Sequence, residues 1–117
     1  MNHIELGAYG EEQSRHYLIN QGYHILGQNI RTPLGELDIL AQKDSILVVV
    51  EVKTRRTRLY GLPCEAVSWH KQQHIKGALQ WYLQYASLNF TSIRFDVMEV
   101  YIQADKVRLR HLQGCFE

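Results

Sequence analysis

The chain has 117 residues, 45% hydrophobic and 21% charged, with 8 Gly, 2 Pro and 2 Cys. This is the composition of one ordinary globular domain, residues 1–117, and not of a disordered or disulfide-dense chain. At this length folding hides roughly 65% of the unfolded surface, so neither a structural metal nor a disulfide is needed for a core. The longest apolar run, Ile46 to Val50, is far short of the roughly 20 residues of a membrane span, and Met1 to Gly10 has no signal-type stretch; a cytoplasmic protein without a membrane partner is expected.

Ile4 to Gln21 reads as a helix, with Gly7, Glu11, Ser14 and Leu18 on one stripe and Gly22 as its stop. Three extended runs follow, Tyr23 to Arg31, Glu36 to Gln42 and Ile46 to Thr54, separated by the turn signals Thr32-Pro33-Leu34-Gly35 and Lys43-Asp44-Ser45. Their short connections predict an antiparallel meander. The third run is apolar on both faces and so reads as a central strand. After a polar loop, Ser68 is the predicted N-cap of a helix running to about Ser87, with Ile75, Leu79, Tyr82, Leu83 and Ala86 facing inward. Thr91 to Gln103 and Lys106 to Leu112 read as two further strands. A strand, long helix and strand in succession make a right-handed parallel crossover, so the expectation is a mixed α/β sandwich in the order α-β-β-β-α-β-β.

The charge is unevenly divided. Residues 1–51 hold seven acids and three Lys or Arg, net −4, while residues 52–117 hold five acids and ten Lys or Arg, net +5. An acidic cluster beside a basic strip suits a cation held next to a polyanion. Closing the hairpin through Asp44-Ser45 sets Asp38 opposite Glu51 and Glu36 opposite Lys53, with all four side chains on one sheet face. Opposed carboxylates repel, and a divalent cation between them would relieve the repulsion. Hard oxygen ligands favour Mg²⁺ or Mn²⁺, with Lys53 a fixed cation beside the metal. Glu11, on the inward stripe of the first helix, is a candidate third carboxylate, whereas Glu12 faces solvent. Arg55, Arg56 and Arg58, with no acid among them, and His70 and Lys71 at the start of the following helix are candidates for gripping phosphates.

Asp38 followed thirteen positions later by Glu51-Val52-Lys53 resembles the PD-(D/E)xK signature of restriction endonucleases and archaeal Holliday-junction resolvases. A wider set covers nearly the whole chain: Gly7-x-x-Gly10-Glu11, Gly22-Tyr23-x-Ile25-Leu26, Asn29-x-Arg31, Gly35-Glu36-x-Asp38, Val50-Glu51-Val52-Lys53-Thr54-Arg55, Gly61, Lys71 and Arg94-Phe95-Asp96-Val97. Together these are similar to the bacterial YraN-like family, a largely uncharacterised group with an endonuclease-like fold. That resemblance implies a restriction-endonuclease-like domain in which Asp38, Glu51 and the Val52 carbonyl hold Mg²⁺ or Mn²⁺, Lys53 stabilises charge, and Glu11 is a further ligand or holds a metal-bound water. Leu37 stands where the signature's proline would be, and Ser14 where an alanine is expected; neither change removes chemistry.

Blander readings accompany these. Glu36, Asp38, Glu51 and Lys53 also describe a cross-strand surface charge patch, and the arginines a solvated loop. His70 and His74 have zinc-ligand spacing but no third ligand, and are expected in solvent. Trp69, Trp81, Tyr82 and Tyr85, at helical spacing, are expected to pack in the core rather than stack on bases. Asp96 is left between approaching the acidic cluster and pairing near Arg94. Cys64 and Cys115, far apart and without a Cys-x-x-Cys neighbour, read as plain thiols. The expected function is a metal-dependent nuclease acting on nucleic acid, DNA before RNA and branched DNA included; the alternative is a non-catalytic nucleic-acid-binding or protein-interaction module on the same fold. Symmetric cutting of a junction would call for a homodimer, a question the single chain leaves open.

Overall fold

A computed structural model describes residues 1–57 and 62–117. Helix α1 (His3–Asn20) precedes strands β1 (His24–Thr32), β2 (Gly35–Lys43) and β3 (Ile46–Arg55). A short 3-10 turn at Pro63–Ala66 leads to helix α2 (Trp69–Leu83), and strands β4 (Ser92–Gln103) and β5 (Lys106–Phe116) complete the chain. The element order is the expected one. The strands form a single five-stranded sheet in the order β1-β2-β3-β4-β5, antiparallel except for the parallel pair β3–β4 that the α2 crossover creates. No helix among the described residues is long and apolar enough to cross a membrane.

The central position of β3 follows from its two apolar faces. Leu47 and Val49 join Ile75, Ala78 and Leu79 of α2 in one buried cluster, while Val48 and Val50 join Leu18 of α1 in the other. Each helix covers one face. Ser68 caps α2 as expected, its hydroxyl accepting from the Lys71 N–H at 3.1 Å. The helix nonetheless ends at Leu83, short of the predicted Ser87, and Ala86 lies beyond it.

The stripe of α1 is rotated from its prediction. Leu6, Gly10, Ser14 and Leu18 are buried, whereas Gly7 and Glu11 stand at the edge of that face. Gly10 decides this rotation: a Cβ there would lie 1.7 Å from Thr54 Oγ1, so the helix backbone itself rests on the end of β3. Ser14 is satisfied within its own helix, donating to the Gly10 carbonyl at 2.8 Å.

The cysteines correct the thiol reading. Cys64, in the 3-10 turn, and Cys115, near the end of β5, are joined by a disulfide with Cα atoms 5.1 Å apart. The crossover brings the turn against β4 and β5, a proximity that spacing along the chain does not encode.

Candidate metal centre

Along β3 the alternation that sends Val49 to the α2 side sends Glu51 and Lys53 there too. The Glu51 side chain is only 7% exposed, and its Oε1 lies 3.6 Å from Lys71 Nζ and 3.9 Å from Lys53 Nζ. Two ammonium groups from different elements therefore converge on one carboxylate, Lys71 being supplied by the capped first turn of α2.

Asp38 reaches the same place from β2. The β2–β3 register runs from Lys43↔Ile46 to Ile39↔Val50, as the two-residue turn predicted, and there the backbone ladder stops. Instead of a squarely opposed pair at Asp38 and Glu51, the Asp38 carboxylate accepts the Val52 N–H at 2.9 Å. The side chain replaces the missing backbone acceptor and fixes one oxygen near Glu51. The cause is local. Leu37 and Leu40 both join the α2 cluster while Ile39 and Ala41 join the α1 cluster, so the alternation slips at Asp38. Across the ladder Asn29 has a positive φ of 49°, and the β1–β2 register omits it between Gln28↔Ile39 and Ile30↔Leu37. The expected facing of Glu36 and Lys53 is likewise corrected: the β2–β3 ladder ends at Ile39↔Val50 before reaching them, and Glu36 pairs through its backbone with Arg31 on β1.

Glu11 approaches from α1. Burial raises its carboxyl above the ordinary range, the Asn29 side chain partly offsets this, and the nearby charges of Asp38 and Glu36 push it further up. Glu51 is pushed up to about 7, first by burial and then by Asp38, against the pull of Lys71 and Lys53. Glu11, Glu36, Asp38 and Glu51 therefore share one electrostatic neighbourhood where β2 and β3 part. Glu12 lies in solvent, paired with Arg15 at 2.6 Å.

The residues fit a hard divalent cation by their chemistry: carboxylate oxygens crowded enough to oppose each other's ionisation, with the Val52 peptide between Glu51 and Lys53. Among the described residues, no three His, Cys, Asp or Glu side chains already stand at chelating spacing. Asp38 is instead engaged by the Val52 N–H and Glu51 by the two lysines.

The basic strip is only partly gathered. Arg55 and Arg56 line a cavity of about 460 Å³ beside the amino end of α1; Arg55 Nε is buried with no hydrogen-bond partner among the described residues, and Arg56 donates to the Met1 carbonyl. Arg58 and Gly61 lie outside the described residues. His70 and His74 are exposed, as expected, but Trp69 and Tyr85 are exposed too, against the expectation of core packing.

Asp96 belongs to a different cluster, one that sequence reasoning left unplaced. It is fully buried, and its carboxylate accepts from Arg94 Nε and the Gly114 N–H, each at 2.9 Å, with His111 Nε2 at 2.8 Å. Arg94 in turn donates to the Tyr23 hydroxyl at 2.6 Å. Its only forewarning in the sequence is the alternation of Arg94 and Asp96 on one strand face.

The signature of uncharacterised protein family UPF0102 matches residues 10–100. The chain belongs to that family. A UPF0102 protein of Syntrophotalea carbinolica is 46% identical over 114 residues, covering 97% of this chain and 93% of that protein. Relatives in Alkaliphilus metalliredigens and Clostridioides difficile, also UPF0102 proteins, are 43% identical over 111 residues and 40% identical over 116 residues. The first covers 95% of this chain and 96% of the relative; the second covers 99% and 100%. Family membership thus upholds the YraN-like resemblance, and the matched span takes in Glu11, Asp38, Glu51, Lys53 and Lys71 of this UPF0102 chain.

Proposed function

We propose that this UPF0102 protein is a metal-dependent nuclease of the PD-(D/E)xK kind, hydrolysing phosphodiester bonds of nucleic acid, DNA first. The observation that carries this reading is the Glu51 carboxylate: buried at the parting of β2 and β3, beside Asp38 and within 4 Å of Lys53 and Lys71. A buried carboxylate pair gives up stability unless a cation joins it, so its presence on a central strand asks for a functional reason.

Asp38, Glu51 and the Val52 carbonyl would hold Mg²⁺ or Mn²⁺, with Glu11 holding a further ion or a water. Bound there, the ion supplies Lewis-acid stabilisation of the phosphoryl oxygens and an acidified water. Lys53 stands where it stabilises negative charge gathering on the phosphate or orients the attacking water. Lys71, half exposed and reaching the same carboxylate, holds the adjoining phosphate. Arg55 and Arg56 extend the positive surface along the nucleic-acid backbone, and Arg58 continues it in sequence.

The absence of a ready-made chelate among the described residues keeps one alternative in view: a binding module on the same scaffold in which Lys53 and Lys71 neutralise Glu51 permanently. Calorimetry with Mn²⁺ separates the two, using wild type and Asp38→Ala, each with a short non-hydrolysable duplex present. Binding to wild type that vanishes in Asp38→Ala supports the metal centre, and a cleavage screen over duplex, flap and junction substrates follows. Equal binding to both proteins, or none to either, overturns it in favour of the module.

A further inference from the structure

Trp69 is the first residue of α2 and is 66% exposed. The chain's other tryptophan, Trp81, is half-buried and packs on Tyr85 with ring centroids 4.7 Å apart. The turn that carries the Trp69 indole is held in place. Ser68 caps the helix it begins, the Gln72 N–H donates to the Ser68 carbonyl at 2.9 Å, and the Gln72 side chain donates to the Val67 carbonyl at 3.1 Å. His70 meets the indole edge-on, with centroids 5.3 Å apart. Among the described residues of the same stretch, Ser68, His70, Gln73 and His74 are exposed as well, so Trp69 is an aromatic plate with polar neighbours along its helix.

Lys71, about 3 Å further along the helix axis than Trp69, turns inward to Glu51 at 3.6 Å. The same helical turn thus offers an exposed ring and a cation at the carboxylate cluster. Two positions apart on a helix, ring and ammonium point to different sides of it, so they would be met by successive nucleotides of one strand, an unpaired base stacking on the ring while a neighbouring phosphate lies against the ammonium. A base paired inside a duplex has no open face to offer.

We propose that Trp69, edged by His70, is a stacking platform for one unpaired nucleobase, so that the preferred ligand is single-stranded or branched nucleic acid and not an intact duplex. This rests on the nucleic-acid reading above.

The test is a fluorescence and anisotropy titration with Ca²⁺ in place of Mg²⁺. The probes are a splayed-arm duplex with unpaired thymidine arms, a single-stranded oligothymidine and a blunt duplex of equal length. Wild type, Trp69→Phe and Trp69→Ala are compared, with melting curves as the fold control for an exposed position. Wild type should bind the splayed and single-stranded probes more tightly than the blunt one, with quenching of indole emission. Trp69→Ala should lose about tenfold in affinity for those two probes and little for the blunt duplex, while Trp69→Phe should retain most of it. If Trp69→Ala binds all three probes as wild type does, the platform is overturned while the nucleic-acid reading stands. No binding of any probe by wild type overturns both. A change confined to self-association, read by sedimentation, overturns the platform by making Trp69 a contact between copies.

Discussion

Gly10 of α1 lies so close to Thr54 of β3 that a Cβ built on it would stand 1.7 Å from Thr54 Oγ1 and 2.8 Å from Thr54 Cβ. Because the Thr54 side chain is short and β-branched, it has no far end to swing aside. Alanine at position 10 gains about 1 kcal/mol in helix propensity but forces the helix off the strand. The steric cost of overpacking, about 1–3 kcal/mol and more where the backbone must move, is the larger effect. Gly10→Ala is therefore expected to lower unfolding stability by about 2 kcal/mol in urea, and Gly10→Ala with Thr54→Ala to regain most of it. Since Glu11 is carried by the same turn, Mn²⁺ affinity should fall in the single variant and recover in the double. An unchanged midpoint for Gly10→Ala would show that the helix does not rest on Thr54.

The pKa of Glu51 predicts a pH dependence of opposite sign to that of most carboxylates. Burial raises it from an ordinary 4.5 to about 7, so the folded chain holds a proton that the unfolded chain has already released. Stability of the metal-free protein should fall as pH rises from about 4.5 through about 7. Glu51→Gln removes that slope: it should match wild type near pH 4.5 and melt higher than wild type at pH 8. Mn²⁺ should raise the melting temperature of wild type at pH 8 and leave Glu51→Gln where it was. Parallel curves for the two proteins across this range would mean that Glu51 is not desolvated in the native state.

How far the sequence could be read follows from which signals are periodic. The β2–β3 register was legible because a two-residue turn and a doubly apolar β3 leave little freedom, and the parallel β3–β4 pair followed from the length of the connection. The place of Asp38 was not, because it depends on Asn29 adopting a positive φ on a neighbouring strand. The rotation of α1 is hidden in the sequence for a related reason: Gly10 has no side chain to mark its face, and its burial is created by Thr54, far along the chain. Asp96 illustrates the limit most clearly. Its partners His111 and Gly114, and the Tyr23 that Arg94 reaches beyond it, share no spacing with it, and only the folded sheet brings them together. The exposure of Trp69 escaped because helical spacing does not say where a helix's first turn projects.

For Asp96, burial alone would raise the carboxyl, but hydrogen bonds from His111, Arg94 and the Gly114 N–H, together with the Arg94 charge, hold it below the ordinary aspartate range. A depressed folded pKa contributes stability that is present above the unfolded value, near 3.8, and is lost as pH falls through the folded value. Asp96→Asn leaves the half-buried Arg94 beside a neutral partner and should lose about 2–3 kcal/mol at pH 7, less than a fully buried pair would. The gap to wild type should narrow as urea melts are taken below pH 3.8. A gap that stays constant into strong acid would mean that the loss comes from packing and not from the charge.

Arg55 tests the phosphate-gripping strip without touching the metal ligands. Its Nε is buried and has no hydrogen-bond partner among the described residues, while the residue lines the cavity at the amino end of α1, and a buried donor left so is costly. The nuclease reading gives its guanidinium a backbone phosphate to pair with across that cavity. Each phosphate contact released contributes about one unit to the slope of log affinity against log salt. Arg55→Gln should therefore weaken DNA binding to a similar extent for every sequence and lower that slope by about one, because it removes a charge that reads the backbone and not the bases. Arg56, whose guanidinium already donates to the Met1 carbonyl, should give a smaller change when replaced by Gln. Equal slopes for wild type and Arg55→Gln would place the nucleic-acid path away from this end of β3.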